Sequence, residues 1–520
     1  MDKEILKKPS FWFILVLLIS FAVRIYYLIL SNGQAMWWDE AEYMSTAKHW
    51  AFGIPYNLNE QRPPIFQLLA ALFLKLGFVE YSLKFLLVIL PSVFLVALTY
   101  YLGKEMFGTK IALVASLLTS FVWTLLFWSV RFQPDFFSVT LQLCAFLFFW
   151  KYVKTDKQNF AILSGLFCAI SFYFKISALL VPLCIGIFLL YKDGWKAAKL
   201  KNNWIILGTF IVALIPFMLW QTLSFGNPLA FGTTYSGDFN VGRAPGWMAL
   251  SFYYEFAKPF MFVLFLMGLG ITLFITVITF DILLKDKSLR KDPSLFSFIV
   301  LLVIALFYIF YIRGTIEDRW LFLIIPFISF FAAKPLVLGY DKLRKDSKFL
   351  AILFLVVCLS IIIIPQLNYS TALINDKKDT YYTIKEASLL IKENSLPSDK
   401  VLSVSYTQTT AYAEREVITY SEMPLENFTR VLNEFHPRFL LVSIWEPHHP
   451  SWILQQAQNQ EGFKGTLFPY FNSSIIFSPE NQLVQYDVKT KVSNEVADFT
   501  LIYPIDQYGG VLVYKIDYRS

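Results

Sequence analysis

The sequence predicts an α-helical polytopic membrane protein, with about 11 transmembrane helices and a C-terminal extracytoplasmic α/β domain. Three observations carry that prediction. Apolar residues gather in runs of roughly 17–25, the length that crosses about 30 Å of hydrocarbon. The chain is 56% apolar and only 16% charged, where soluble domains are about 25% charged. The runs stop after Pro365, and Lys and Arg collect in alternate connections before it.

The runs are 11–30, 82–102, 110–129, 136–150, 160–174, 177–191, 204–222, 256–284, 296–312, 320–338 and 349–365. The first lacks a small-residue cleavage site, so it is expected to stay as a helix and not be removed as a signal peptide. Ile65 to Phe78 is short, carries Lys75 and follows the helix-starting pair Pro63-Pro64. Placed in the interface, it leaves a clean alternation of charge. One side then receives Lys3, Lys7, Lys8, Lys104, Lys110, Lys151, Lys154, Lys157, Lys192, Lys196, Lys199 and Lys201. The same side takes Lys285, Lys287, Arg290, Lys291, Lys342, Arg344, Lys345 and Lys348. The other side has only scattered cations, such as Arg62, Arg131, Arg243, Arg313 and Arg319. The positive-inside rule makes the first side cytoplasmic, with the N-terminus on it. A plasma-membrane protein follows, with its C-terminal domain outside.

The expected domains are therefore 1–366 in the membrane, with a first outer loop at 31–81, and 367–520 outside. The net charge of +7 belongs to the inner loops, so it argues for no nucleic-acid partner. Cys144, Cys168, Cys184 and Cys358 all fall in apolar runs and read as buried hydrophobes. In the outer domain, Thr383–Glu393 and Leu425–Phe435 read as helices. Val401–Ser405 and Phe439–Ile444 read as buried strands. His436, His448 and His449 lack a Cys or carboxylate at ligand spacing and read as structural. The triplets at Asn368, Asn427 and Asn472 would all lie outside.

The outer connections carry the chemistry. Met36-Trp37-Trp38 is an interfacial aromatic cluster, and Asp39, Glu40 and Glu42 follow it. On a helix, Asp39, Glu42 and Tyr43 share one face with Glu40 turned aside. Carboxylates this close need a metal, a cation or a shared proton. A solvated helix start is the simpler alternative. Arg62 precedes the interfacial helix, where a fixed cation suits a lipid phosphate. Arg131 and Asp135 bracket a very short connection. Lys175 sits in an apolar hairpin, either snorkelling or serving the same face. Arg319 follows Glu317-Asp318. Arg24, inside the first run, needs a partner helix or a cavity.

Arg24, Trp38-Asp39-Glu40-Ala41-Glu42-Tyr43 and Arg62-Pro63-Pro64-Ile65-Phe66 together resemble the first loop of GT-C glycosyltransferases. The nearest group is that of the protein O-mannosyltransferases and aminoarabinose transferases. Arg131 to Asp135, Phe174-Lys175-Ile176-Ser177, Phe225-Gly226-Asn227-Pro228-Leu229, Glu317-Asp318-Arg319-Trp320 and Ile325-Pro326 resemble it more loosely. At Arg319-Trp320 the group's pattern would have Arg-Tyr, and the aromatic is kept.

The resemblance implies a GT-C-type fold and a polyprenyl-phosphate-linked sugar as donor. The acceptor would be a hydroxyl or amine of a lipid, glycan or protein. It implies Asp39 as base or metal ligand, Glu40 as the second acid of the pair, and Asp135 as the acid of the second outer loop. A divalent metal, where one is used, falls to Asp39 and Glu40. Arg62, Lys175 and Arg319 are the expected donor-phosphate cations, with Arg24, Glu42, Tyr43 and Arg131 as support. Single displacement with inversion follows, since no internal nucleophile is required. The alternative is a transporter or flippase of a charged or lipid-linked solute. Such proteins often carry repeats and midplane sites; here no clear repeat is visible and the charges gather at one face.

Overall fold

The structure, a computed structural model, describes residues 8–232, 248, 250–278, 291–310, 317–446, 448–458, 462, 464–480, 483–503 and 510–519. Lys3, Lys7, Arg243, Lys285, Lys287, Arg290 and Arg313 lie outside the described residues. The chain divides into two units. The membrane unit is Met1–Asn32, Asn59–Phe66 and Glu80–Asp376; the α/β unit is Gly33–Leu58, Gln67–Val79 and Lys377–Ser520.

Among the described residues, nine helices are long and apolar enough to cross a membrane. They are Pro9–Leu30, Glu80–Phe107, Asp135–Thr155, Ile176–Lys199, Lys201–Phe225, Phe260–Ile278, Pro293–Phe310, Ile324–Asp346 and Lys348–Lys377. Two shorter apolar helices, Thr109–Phe121 and Gln158–Phe172, fall on the two remaining runs. The chain is an integral membrane protein. Ile65–Lys75 has 11 residues, and at 1.5 Å each that is about 16 Å, roughly half the hydrocarbon.

The run 110–129 is not one straight helix. It breaks at Val122, whose ψ of 122° is extended, and resumes as Trp123–Trp128. A break at membrane depth exposes backbone groups that need a partner. The Trp123 N–H donates to Gln366 Oε1 at 2.8 Å, and the Trp123 indole donates to the Glu255 carbonyl at 2.7 Å. The helix that carries Gln366 continues past Pro365 to Lys377, so the expected boundary at 366 falls inside it.

Large apolar side chains such as Leu18, Phe94, Leu223 and Phe310 are exposed, while Ser20, Ser92, Thr99, Ser116, Thr119 and Ser164 are buried. That is the inversion expected where helices meet through small residues and present apolar ones to lipid. Phe146, Phe149, Trp150, Phe188 and Phe327 surround Phe296 in an aromatic core, with Phe188 at 5.1 Å from it between ring centroids. Gly268 lets Phe260–Ile278 approach Ile324–Asp346, because a Cβ there would collide with the Phe331 carbonyl. Gly268→Ala is expected to destabilise the unit by about 1–3 kcal/mol, read as a lower melting temperature in detergent. Gly270→Ala is the control: a Cβ there meets nothing within 4 Å.

In the α/β unit, β1 (Lys400–Ser403) lies between β2 (Glu416–Ile418) and β3 (Phe439–Ser443), parallel to both. The sheet continues from β3 antiparallel through β10 (Val511–Tyr518) and β9 (Ala497–Tyr503) to β8 (Lys491–Ser493). β3 is buried at all five positions, as a strand covered on both faces must be. Leu402, Phe428, Leu432, Leu440 and Tyr514 fill one face. Ile384, Ala387, Ile391, Val401 and Leu441 fill the other. A second, antiparallel sheet runs β4 (Gln455–Gln458), β5 (Lys464–Phe468), β6 (Ser473–Phe477) and β7 (Leu483–Asp487). The helix Trp38–Phe52 belongs to this unit. Ser45 donates to the Thr407 carbonyl at 2.9 Å, and the Met36 N–H donates to the Tyr412 hydroxyl at 2.7 Å.

Candidate active site

In the membrane unit the structure brings Asp135, Lys175 and Arg319 together. Asp135 opens the helix Asp135–Thr155, directly after Pro134, and is buried. Lys175 has extended backbone and caps the short turn Ile176–Leu179. Its ammonium is ion-paired with the Asp135 carboxylate, so it does not simply snorkel. Burial and the neighbouring Arg319 push the Lys175 ammonium toward its neutral form, and the Asp135 carboxylate opposes them. Arg319 is buried, paired with Glu317, and stacked 4.9 Å from the centroid of the Trp128 ring.

Lys175 and Arg319 line one small cavity with Gln142, Ser177 and Trp320. Its volume is about 10 Å³, room for roughly one water. A phosphate between these cations therefore requires the gap to widen. Glu317, at 41% exposure, is the group that can leave Arg319 at least cost, because its charge is already hydrated.

Asp318, which the sequence offered only as part of the Glu317-Asp318-Arg319-Trp320 stretch, holds Arg319 in place. Its carboxylate accepts from the Thr124 hydroxyl and, at 2.9 Å, from the Trp128 indole. Burial pushes its carboxyl up, and these bonds pull it back. Asp318 thus pins the start of the 3₁₀ turn that carries Arg319 to Trp123–Trp128. Thr124 and Trp128, its partners, lie in an apolar run with no signal that points to it.

Three further cations belong to the same unit. Arg24 is fully buried and donates to Ser20 Oγ at 2.6 Å and to the Ser120 carbonyl at 3.3 Å. That joins the first helix to Thr109–Phe121. Arg131 is buried with its guanidinium 5.2 Å from the centroid of the Phe127 ring. Arg62 is half-buried in the turn before Ile65, a stretch fastened by Gln221 donating to the Glu60 carbonyl at 3.0 Å. Phe225-Gly226-Asn227 is a helix stop: Gly226 takes φ 74°, and Asn227 Oδ1 accepts from the Leu229 N–H at 2.9 Å.

Asp39, Glu40, Glu42 and Tyr43 lie in the α/β unit, on the helix Trp38–Phe52. Glu40 is fully buried, and its Oε2 accepts from the Trp37 N–H at 3.0 Å. An acid at the third helical position that reaches back in this way caps the helix. Glu42 and Tyr43 are buried as well. Asp39 alone of the three acids keeps solvent access, and at a helix N-terminus its negative charge is favoured. Trp38, beside it, meets Tyr406 edge to face at 5.1 Å. Glu40→Ala is expected to lower the melting temperature through a loss of about 1 kcal/mol. Glu40→Gln retains an acceptor for the Trp37 N–H and should retain the stability.

Among the described residues no group of three or more His, Cys, Asp or Glu side chains converges. Glu40 Oε2 accepts from the Trp37 N–H. No step is therefore routed through an ion.

Residues 61–220 match the family described as dolichyl-phosphate-mannose-protein mannosyltransferase. That stretch holds Arg62, Arg131, Asp135 and Lys175, and leaves out Asp39, Glu40 and Arg319. No curated protein sequence matches the chain. Among solved structures, ArnT from Cupriavidus metallidurans bound to undecaprenyl phosphate is similar, with a TM-score of 0.59 and 13% identity over 83% of this chain and 93% of that one. AglB, the oligosaccharyltransferase of Archaeoglobus fulgidus, solved with an inhibitory peptide and a dolichol-phosphate, has a TM-score of 0.57 and 13% identity, covering 91% of this chain and 76% of that one. The same oligosaccharyltransferase with Zn and sulfate gives 0.55 and 14%, over 82% and 68%. The chain has the GT-C fold of these membrane glycosyltransferases, and over residues 61–220 it also carries the sequence pattern of the mannosyltransferases.

Proposed function

We propose that the protein is an inverting glycosyltransferase that moves a sugar from a polyprenyl-phosphate carrier to a hydroxyl or amine of a lipid, glycan or protein. The observation that carries this is the Lys175–Arg319 pair, two cations facing one small cavity and held there by Asp135, Glu317 and Asp318. The family match and the two structural relatives solved with polyprenyl phosphates support the same donor class. Mannose is one candidate sugar; hexose and pentose donors both suit the chemistry.

In the reaction the acceptor oxygen or nitrogen bonds to the anomeric carbon as the bond from that carbon to the phosphate oxygen breaks. The acceptor proton passes to Asp39, and the electron pair stays on the phosphate. Lys175 and Arg319 tighten on that phosphate as its second negative charge develops, which stabilises the transition state more than the ground state. Glu317 yields Arg319 to the phosphate, while Asp135 keeps Lys175 in place. Arg62 is the third donor-phosphate cation in this scheme. We place the site and the α/β unit on the outer face of the plasma membrane, as eleven crossings from a cytoplasmic N-terminus would put them.

The test is purified protein in nanodiscs with a panel of polyprenyl-phosphate sugars. One donor should release free polyprenyl phosphate in the presence of a glycan or peptide acceptor. Movement of the intact lipid-linked sugar between leaflets, with no cleavage of any donor, is the result that overturns this function.

A further inference from the structure

The α/β unit contains a cavity of about 410 Å³ lined by Ile444, Trp445, Glu446, His449, Leu454 and Gln456. That volume lies in the range of about 300–1,000 Å³ that small-molecule sites occupy. We infer that this cavity is a binding subsite for a neutral sugar ring of the acceptor. The word acceptor rests on the glycosyltransfer proposed above; the sugar site does not.

The walls divide by chemistry. Trp445 is 44% exposed, a large apolar face left open beside buried polar groups, and Ile444 and Leu454 extend it. An aromatic platform of this kind meets the C–H face of a sugar ring at small entropic cost, because Trp has few rotamers to freeze. Glu446 supplies carboxylate oxygens, which make the stronger class of hydrogen bond with hydroxyl donors. The His449 ring nitrogens are out of water; the Ser443 carbonyl is the backbone acceptor beside them, and among the described residues neither nitrogen meets full hydrogen-bond geometry. A buried imidazole left so is costly unless something else bonds to it. Burial pushes His449 down to about 4, so at neutral pH one nitrogen donates and the other accepts. A hydroxyl-bearing ligand can answer both.

Charge excludes the competitors. Among the described lining residues there is no Lys or Arg to hold a phosphate, and Glu446 repels anions. Burial also pushes the Glu446 carboxyl up, which weakens its hold on cations. A neutral polyhydroxylated ring is what remains.

Glu446 also connects the cavity to the acidic helix inside the same unit. Ser405 precedes the helix Tyr406–Ala413 at the position where a serine usually caps, yet it makes no cap bond there. Its hydroxyl donates instead to Glu446 Oε1 at 2.9 Å. The next residue, Tyr406, is the one that Trp38 meets. Two contacts and two peptide links thus separate Glu446 from Asp39. A sugar seated on Trp445 and Glu446 is held by the same unit that carries the proposed base.

The test is saturation-transfer-difference NMR on the full chain in nanodiscs, with methyl hexosides, N-acetylhexosaminides and neutral disaccharides, and no donor present. At least one glycoside should show ring-proton saturation, and Trp445→Ala and Gln456→Ala should each weaken it at least tenfold. Gln456 is exposed on β4, so its variant keeps the fold. Absence of saturation by every glycoside overturns the subsite, and so does binding that both variants leave unchanged. If binding fails while Asp39-dependent transfer is found, only the subsite is lost. If binding holds and no donor is cleaved, the sugar site stands without the transferase.

Discussion

Asp39→Asn is expected to lower sugar transfer by about 10²–10⁴-fold, the usual contribution of a positioned general base. The protein should remain folded, because Asp39 is half-exposed and leaves the helix cap to Glu40. Binding of the free polyprenyl phosphate should be unchanged, since the proposed scheme gives the phosphate to Lys175, Arg319 and Arg62. The two measurements together separate the base from a phosphate ligand: kcat falls and carrier affinity does not. Transfer by Asp39→Asn at a near wild-type rate removes Asp39 from the proton step.

The membrane half of the fold was legible because lipid is a severe solvent. Every backbone group must be satisfied inside the segment, so spanning helices declare themselves by length. All eleven runs have a helix on them. The break at Val122 was not legible, because it depends on Gln366, 243 residues away. The α/β unit was half legible. Helices and strands with one strongly apolar pattern, such as Leu425–Phe435 and Phe439–Ser443, were found nearly to the residue. The sheet β4–β7 was not, since strands such as Gln455-Gln456-Ala457-Gln458 show no apolar period. Nor could the sequence assign Trp38–Phe52 to the C-terminal unit. That depends on bonds such as Ser45 to Thr407, 362 residues apart.

At the site, the residues were legible and their pairings were not. A cation or acid beside an apolar run draws notice because it is expensive there. Its partner does not, when it lies in another connection. Lys175 and Asp135 are 40 residues apart, and each was visible only as an isolated oddity. Glu40 had a local signal, an acid three residues past the cap, that competed with its likeness to a catalytic pair. The structure shows it capping the helix.

That pairing makes Lys175→Met the most damaging single change expected. Asp135 is nearly inaccessible, so the substitution strands a carboxylate at the membrane surface with its counter-charge gone. Removing one partner of a buried pair costs about 3–5 kcal/mol, and the variant should melt early and transfer no sugar. Loss of activity alone would then say nothing about phosphate, because an unfolded protein is also inactive. The double variant Lys175→Met with Asp135→Leu separates the two effects. It replaces the pair by apolar groups of similar size, which is often neutral for stability. Its melting temperature should return to within a few degrees of wild type. Its transfer rate should not return, and its affinity for free polyprenyl phosphate should stay at least tenfold weaker. Arg319 remains in the double variant, still stacked on Trp128 and paired with Glu317, so residual phosphate binding reports that second cation. If the double variant regains transfer along with stability, Lys175 serves the fold and not the phosphate. The donor site would then have to be built on Arg319 and Arg62.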